Sequence, residues 1–136
     1  MPQGTLLGPL LFLLYVNDIY KSAPVFSFTL YADDTNILYS DKDLTKIHNV
    51  VNDNLKKVCH WFKCNKLSVN SKKCNYIVFR SSRRRLELED LYIRLNEDVI
   101  PRVDCTKFLG VIIDEQLTWK QHIAYIQNKI AKNIEI

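Results

Sequence analysis

The sequence predicts an α+β fold: an antiparallel sheet built on a hairpin around Asp33 and Asp34, with two helices packed on one face. Three observations predict it. Two short β-prone runs, residues 26–30 and 36–39, flank Tyr31-Ala32-Asp33-Asp34. Apolar residues at Leu44, Ile47, Val51, Leu55, Val58 and Phe62 recur in steps of three and four, the period of one helix face. Leu91, Ile93 and Leu95 alternate, Asn96-Glu97-Asp98 turns, and residues 99–103 return, which reads as a β-hairpin.

The remaining elements follow in chain order. Residues 1–8 read as a loop with Pro2, Gly4 and Gly8. Pro9 suits the first turn of a helix, where its missing N–H costs nothing. That helix continues to about residue 20 and is apolar almost all round, so it should be covered on most sides. Ser22-Ala23-Pro24 breaks it. Asp41 or Asp43 can cap the helix that carries the Leu44 stripe, in which Cys59 and Trp61 read as edge-of-core residues. Residues 65–70 leave that helix through a turn, and residues 76–79 read as a short buried strand. Residues 107–113 read as a strand with Gly110 inside it, where glycine marks a bulge or a close backbone approach. Trp119, Ile123, Ile126, Ile130 and Ile134 make a last amphipathic helix.

A length of 136 residues suits one domain, and 47% hydrophobic with 25% charged residues is ordinary for a globular chain. The net charge of +4 is mild, but its distribution is uneven. Residues 56–85 hold ten basic side chains and no acid. A one-sign block suits a phosphate backbone as well as a solvated face. Within it Lys66, Lys72, Arg83, Arg84 and Arg85 are the candidate contacts to a nucleic-acid backbone. The four cysteines lack paired C-x-x-C spacing, so a zinc module is disfavoured and reduced thiols in an intracellular protein, nuclear or cytoplasmic, are expected. The apolar run 6–16 has no basic residue before it and is shorter than the ~20 residues a bilayer needs, so neither secretion nor a membrane partner is expected.

Asp33 and Asp34 are the chemically informative pair. Adjacent carboxylates repel, and a divalent cation is a common compensation; hard oxygen ligands suit Mg²⁺. Read alone, the tetrapeptide fits an acidic turn equally well.

Further stretches, in order, resemble the reverse transcriptase of non-LTR (LINE-type) retrotransposons and, more distantly, group II intron reverse transcriptases. They are Pro2-Gln3-Gly4; Leu7-Gly8-Pro9-Leu10-Leu11-Phe12 with Tyr15-Val16-Asn17-Asp18; Tyr31-Ala32-Asp33-Asp34; Trp61 with Asn65-Lys66-Leu67-Ser68-Val69-Asn70 and Lys73; Phe108-Leu109-Gly110-Val111; and Leu117-Thr118-Trp119 with His122-Ile123. The resemblance covers nearly the whole chain. It implies a polymerase palm-like antiparallel sheet over residues 1–114 and the start of a helical thumb over residues 115–136.

It also implies a chemistry: two-metal addition of deoxynucleotides to a primer, with Mg²⁺ or Mn²⁺ as cofactor. RNA template, DNA primer and deoxynucleoside triphosphates are the implied partners. By this resemblance Asp33 is the direct metal ligand, with Asp34 beside it. Tyr31 lies against the primer. Gln3, Gly4 and Ala32 admit the template and incoming nucleotide. Lys73 neutralises or protonates the departing pyrophosphate, although it also reads as a solvated lysine. Lys107, Phe108, Leu109 and Gly110 position the primer terminus, and Asp18 reads as structural. The family's third catalytic aspartate lies on a strand before the Pro-Gln-Gly loop. The expectation is therefore a fragment inactive by itself, partnered by the missing N-terminal part of the same polyprotein. The alternative is a non-catalytic nucleic-acid-binding remnant that uses the basic block.

Overall fold

A computed structural model describes residues 7–83 and 91–134. The elements run α1 (Leu7–Val16), a 3-10 turn (Ile19–Ser22), β1 (Ser27–Tyr31), β2 (Asp34–Leu38), α2 (Leu44–Cys64), a 3-10 turn (Ser71–Lys73), β3 (Ile93–Leu95), β4 (Asp98–Ile100), β5 (Cys105–Phe108), β6 (Val111–Asp114) and α3 (Lys120–Ile134). Helices and antiparallel strands are mixed, as expected of an α+β fold. The described strands pair as three two-stranded ladders, β1–β2, β3–β4 and β5–β6. The chain divides into two compact units. Described residues up to Ser71, with Ile93–Val99, form the first; residues from Lys72 to Tyr92 and from Ile100 onward form the second.

The first unit is built on α2. Asp43 caps its start, its carboxylate accepting from the Thr45 N–H at 2.9 Å. Asp41 precedes the cap, accepting from the N–H groups of Lys42 and Asp43 and pairing with Lys46 Nζ at 2.6 Å. The apolar stripe then buries Leu55 and Val58, with Cys59 beside them. α2 packs on the 3-10 turn, whose Ile19 is fully buried, and on β3, whose Ile93 and Leu95 are buried. The Arg94 N–H donates to Asn52 Oδ1 at 2.8 Å, so a polar contact fixes the helix against this strand.

The helix ends in a Schellman motif. The Lys66 N–H donates to the Lys63 carbonyl at 3.1 Å and the Leu67 N–H to the Phe62 carbonyl at 2.9 Å. Lys66 takes φ 53, the left-handed conformation this stop requires. Phe26 contributes a buried ring, edge-on to Phe28 and to Tyr39 at 6.1 Å each.

In the second unit Tyr76 Oη donates to the Leu91 carbonyl at 2.7 Å, and its backbone forms an isolated parallel bridge with Arg102. The amide groups here form a short chain: Tyr76 N–H to the Pro101 carbonyl, and Val103 N–H to the Tyr76 carbonyl. Further along, Arg80 N–H donates to the Glu115 carbonyl at 2.9 Å, and the Arg80 guanidinium meets Glu115 Oε1 at 2.6 Å. α3 packs on β6.

Four expectations change. The first helix does not continue to residue 20: α1 ends at Val16, and Ile19–Ser22 is a separate 3-10 turn. Residues 76–79 are not a buried strand: only Tyr76 forms a bridge, and Phe79 is exposed. Four apolar residues carry no partner information; here Tyr76 bonds on either side of Arg102, and the Arg80 N–H bonds the Glu115 carbonyl. Gly110 does not lie inside a strand. It is the second residue of the two-residue turn Leu109-Gly110 that joins β5 to β6, with φ 46 and 88. Positive φ at both central positions is the signature of an I′-type hairpin. Finally, α1 is not covered. Leu7, Leu10, Leu11, Leu13, Leu14 and Tyr15 are 43–65% exposed, and only Val16 is buried. One helix face is the most that a single packing neighbour covers, and this helix is apolar on every face. Among the described residues, no helix is long and apolar enough to cross a membrane.

The left-handed stop at Lys66 yields a test. A non-glycine residue in this conformation costs about 1–2 kcal/mol, which glycine avoids. Lys66→Gly is therefore expected to raise the thermal midpoint by a few degrees, read by circular dichroism, whereas Lys66→Val lowers it.

Candidate active site

β1 and β2 run antiparallel in the register Ser27↔Leu38, Phe28↔Ile37, Thr29↔Asn36, Leu30↔Thr35 and Tyr31↔Asp34. Ala32 and Asp33 are thus the two residues of the tip. Ala32 takes φ 50, a conformation unusual for a residue with a Cβ. The turn places Asp33 at the apex and Asp34 as the first residue of β2. Tyr31, Ala32, Asp33 and Asp34 are all exposed. Tyr31 at 60% exposure is no core residue. The tip thus presents two adjacent carboxylates and one phenol to solvent.

The donor set suits a hard divalent cation in part. Two carboxylates with room for water and phosphate oxygens fit the way Mg²⁺ is commonly held. Among the described residues no third acidic, histidine or cysteine side chain joins them, and no group of three such side chains is assembled anywhere.

The other expected residues fall in several places. Lys66 is exposed at the end of α2 in the first unit. Lys72, Lys73 and Arg83 are exposed in the second unit, the two lysines within the 3-10 turn Ser71–Lys73. Lys107 lies on β5, its ammonium 5.4 Å from the centre of the Tyr125 ring on α3. A cation over an aromatic face is attracted by the ring's quadrupole. Phe108 is half-buried, while Leu109 and Gly110 stand out at the β5–β6 turn. A Cβ built on Gly110 meets nothing within 4 Å, so its backbone conformation rather than space demands glycine there. Gln3, Gly4, Arg84 and Arg85 lie outside the described residues.

Two features escaped sequence reading. The first is Arg80. It belongs to the basic block, yet it spends its charge on Glu115 in a largely buried pair. That hydrogen bond raises the guanidinium's pKa above its usual value, although burial opposes it. The second is Asp114, 8% exposed at the end of β6. Its Oδ1 accepts from the Gln116 N–H at 3.0 Å. Its Oδ2 accepts from the Thr118 N–H at 2.9 Å, Thr118 Oγ1 at 3.1 Å and the Trp119 N–H at 3.0 Å. These bonds hold a loop in which Leu117 and Trp119 take φ 55 and 64. They lead directly into α3, so Asp114 sets where that helix starts. The available signal was Asp114 with Thr118 four residues on, residue types that form side-chain turns.

Residues 1–113 match the family model described as reverse transcriptase (RNA-dependent DNA polymerase). The chain is 28% identical over 141 residues to the probable RNA-directed DNA polymerase from transposon X-element of Drosophila melanogaster, covering 98% of this chain and 15% of that protein. It is 27% identical over 134 residues to the RNA-directed DNA polymerase from mobile element jockey of the same organism, covering 93% of this chain and 14% of the relative. A retrovirus-related Pol polyprotein from type-1 retrotransposable element R1 2 of Nasonia vitripennis is 26% identical over 143 residues, 98% of this chain and 34% of that protein. The chain therefore spans between about a seventh and a third of the length of these relatives. No solved structure matches.

The Asp114 cluster predicts a pH dependence. Hydrogen bonding from the Thr118 N–H, joined by those from Gln116 and Trp119, holds the carboxyl below the usual range against the opposing effect of burial. A folded-state value below the unfolded one (about 3.9) means that the stabilisation is complete above that unfolded value and is lost as pH falls through the folded one. The thermal midpoint should thus drop below about pH 4, and Asp114→Ala should flatten that acid limb. At pH 7 Asp114→Ala is expected to lower the midpoint more than Asp114→Asn, which keeps one acceptor oxygen.

Proposed function

The chain belongs to the reverse transcriptase (RNA-dependent DNA polymerase) family, and from that premise we propose that it supplies the catalytic hairpin of an RNA-directed DNA polymerase. The observation that carries this reading is the exposed Asp33-Asp34 pair on a two-residue hairpin tip. In this reading β1–β2 belongs to a palm-like sheet, and α3 begins a thumb. An isolated two-stranded ladder is marginal in water, which supports further strands beside β1–β2 in the complete enzyme. The exposed apolar face of α1 supports a further neighbour in the same way. The relatives' greater length is consistent with both.

Asp33 and Asp34 hold Mg²⁺ or Mn²⁺ in this proposal. The bound cation supplies electrostatic stabilisation to the attacking 3′-hydroxyl and the leaving pyrophosphate. Tyr31, exposed beside the tip, lines the primer. The β5–β6 turn presents Leu109 and Gly110 to the primer terminus, with Lys107 held back over Tyr125. Lys73, exposed and cationic, provides charge for the departing pyrophosphate. RNA template, DNA primer and deoxynucleoside triphosphates are the partners, and the chemistry needs a third carboxylate supplied by the remainder of a polymerase.

Primer extension tests this. Joined to the upstream polymerase segment of the X-element relative, the chain should extend a DNA primer on an RNA template in Mg²⁺. Asp33→Asn should then remove about 3 kcal/mol or more of transition-state stabilisation, roughly a hundredfold in kcat. The chain alone should give no extension. Extension by the chain alone that vanishes in Asp33→Asn would overturn the need for a third carboxylate. A joined polymerase indifferent to Asp33→Asn would overturn the whole reading.

A further inference from the structure

We propose that His60 and Cys64, at the C-terminal end of α2, form a two-ligand site for a thiolate-seeking metal ion of the zinc class. The two residues stand four apart on one helix, so their side chains share a face one turn apart. His60 Nε2 and Cys64 Sγ are 3.4 Å from each other. Around one tetrahedral zinc, with bonds of about 2.3 Å to sulfur and about 2.05 Å to nitrogen, the two donor atoms stand about 3.5 Å apart. The helix therefore already holds both donors at the separation of neighbouring ligands. Both side chains are exposed, which leaves the ion a path of entry. Paired cysteine spacing does not reveal this site, because the partner of Cys64 is a histidine one turn away.

The surroundings select the kind of ion. Residues 56–85 contain no acid, so a hard cation held by carboxylates, such as Mg²⁺, finds no ligand near this pair in sequence. Thiolate and imidazole instead suit zinc and its softer analogues. The neighbouring lysines oppose any dication, but they are exposed and screened by salt. Two features offset them. The Cys64 thiol loses its proton to solvent when it coordinates, so a sulfur–metal bond replaces the S–H bond and one negative charge joins the ion. Cys64 is also the last residue of α2, and the C-terminal end of a helix favours positive charge. Among the described residues no third acidic, histidine or cysteine side chain completes a metal group, so the remaining coordination positions belong to water or a small exogenous ligand. Occupancy braces the last turn of α2 just before the left-handed stop at Lys66. The next residue, Asn65, accepts from Tyr15 Oη of α1 through its carbonyl at 2.6 Å, so the braced turn is the one that ties α1 to α2. None of this chemistry depends on the Asp33 hairpin.

Cadmium is the probe, because its bond to a thiolate gives an ultraviolet charge-transfer band. The full chain is titrated under reducing conditions in a Cys74→Ser, Cys105→Ser background, which leaves exposed Cys64 and buried Cys59. The band should saturate at one Cd²⁺ per chain. Half the ligands of a structural zinc site bring roughly half its binding free energy, a Kd on the order of 10 μM. Zn²⁺ should compete, and millimolar Mg²⁺ should not. Cys64→Ser should abolish the band, and His60→Ala, which keeps the thiol, should weaken binding tenfold or more. Should either variant fold poorly by circular dichroism, the unsubstituted chain supplies a second readout: Zn²⁺ should protect Cys64 from alkylation, half-maximally at the same Kd, as read by mass spectrometry. The proposal is overturned by absence of the band or of protection, by undiminished affinity in His60→Ala, which indicates a bare thiol, by displacement with Mg²⁺, or by one ion shared between two chains. Asp33→Asn should leave the titration unchanged while it removes primer extension in the joined polymerase, so this site and the catalytic reading can each fail alone.

Discussion

Burial of Leu55 and Val58 along one stripe of α2 is the constraint on which the first unit depends. The helix is long enough, 21 residues, to reach both the 3-10 turn at Ile19 and the strand at Ile93. Its ends are specified by polar chemistry rather than by packing: the Asp43 cap at one, the left-handed Lys66 at the other. With both ends and one face determined, the opposite faces are determined too. Lys56, Lys57 and Trp61 line one open groove beside the 3-10 turn because the stripe is buried where it is.

Polar groups do the corresponding work in the second unit. Asp114 collects four donors from Gln116, Thr118 and Trp119, and Arg80 is matched by Glu115. Buried polar groups are costly unless satisfied, so each of these clusters specifies one arrangement of its loop. Leu117 and Trp119 accept left-handed backbone within the Asp114 loop. Strain of that kind persists only where surrounding bonds over-determine it. The consequence for function is positional: the same short segment ends the β5–β6 hairpin and begins α3.

The two hairpin tips that matter for the polymerase reading are built differently. Leu109-Gly110 has positive φ at both residues, a geometry matched to strand twist. Ala32-Asp33 has it at Ala32 only and presents a carboxylate at the apex. Neither Asp33 nor Asp34 is engaged by another side chain among the described residues, which leaves their oxygens available to a cation. Among the described residues no third acidic, histidine or cysteine side chain stands with them.

Local signals made much of this legible in the sequence. The Leu44–Phe62 periodicity and Asp43 determined α2; the β-prone runs around Tyr31-Ala32-Asp33-Asp34 determined the β1–β2 hairpin to within a residue or two; Leu91-Ile93-Leu95 and Asn96 determined the next one. In each case the information is held within a few residues, because helix and strand periods and turn preferences are short-range. Tertiary structure decided what depends on residues distant in the chain. It withdrew Arg80 from the basic block by placing Glu115 beside it, moved Gly110 from a strand to a turn by pairing Phe108 with Val111, and left α1 exposed although its composition suits burial. It also brought Ser22 to the α2 face that carries Lys56, Lys57 and Trp61. Charge and hydrophobicity are properties of a residue, but availability is a property of its neighbours, and those are assigned only when the chain folds.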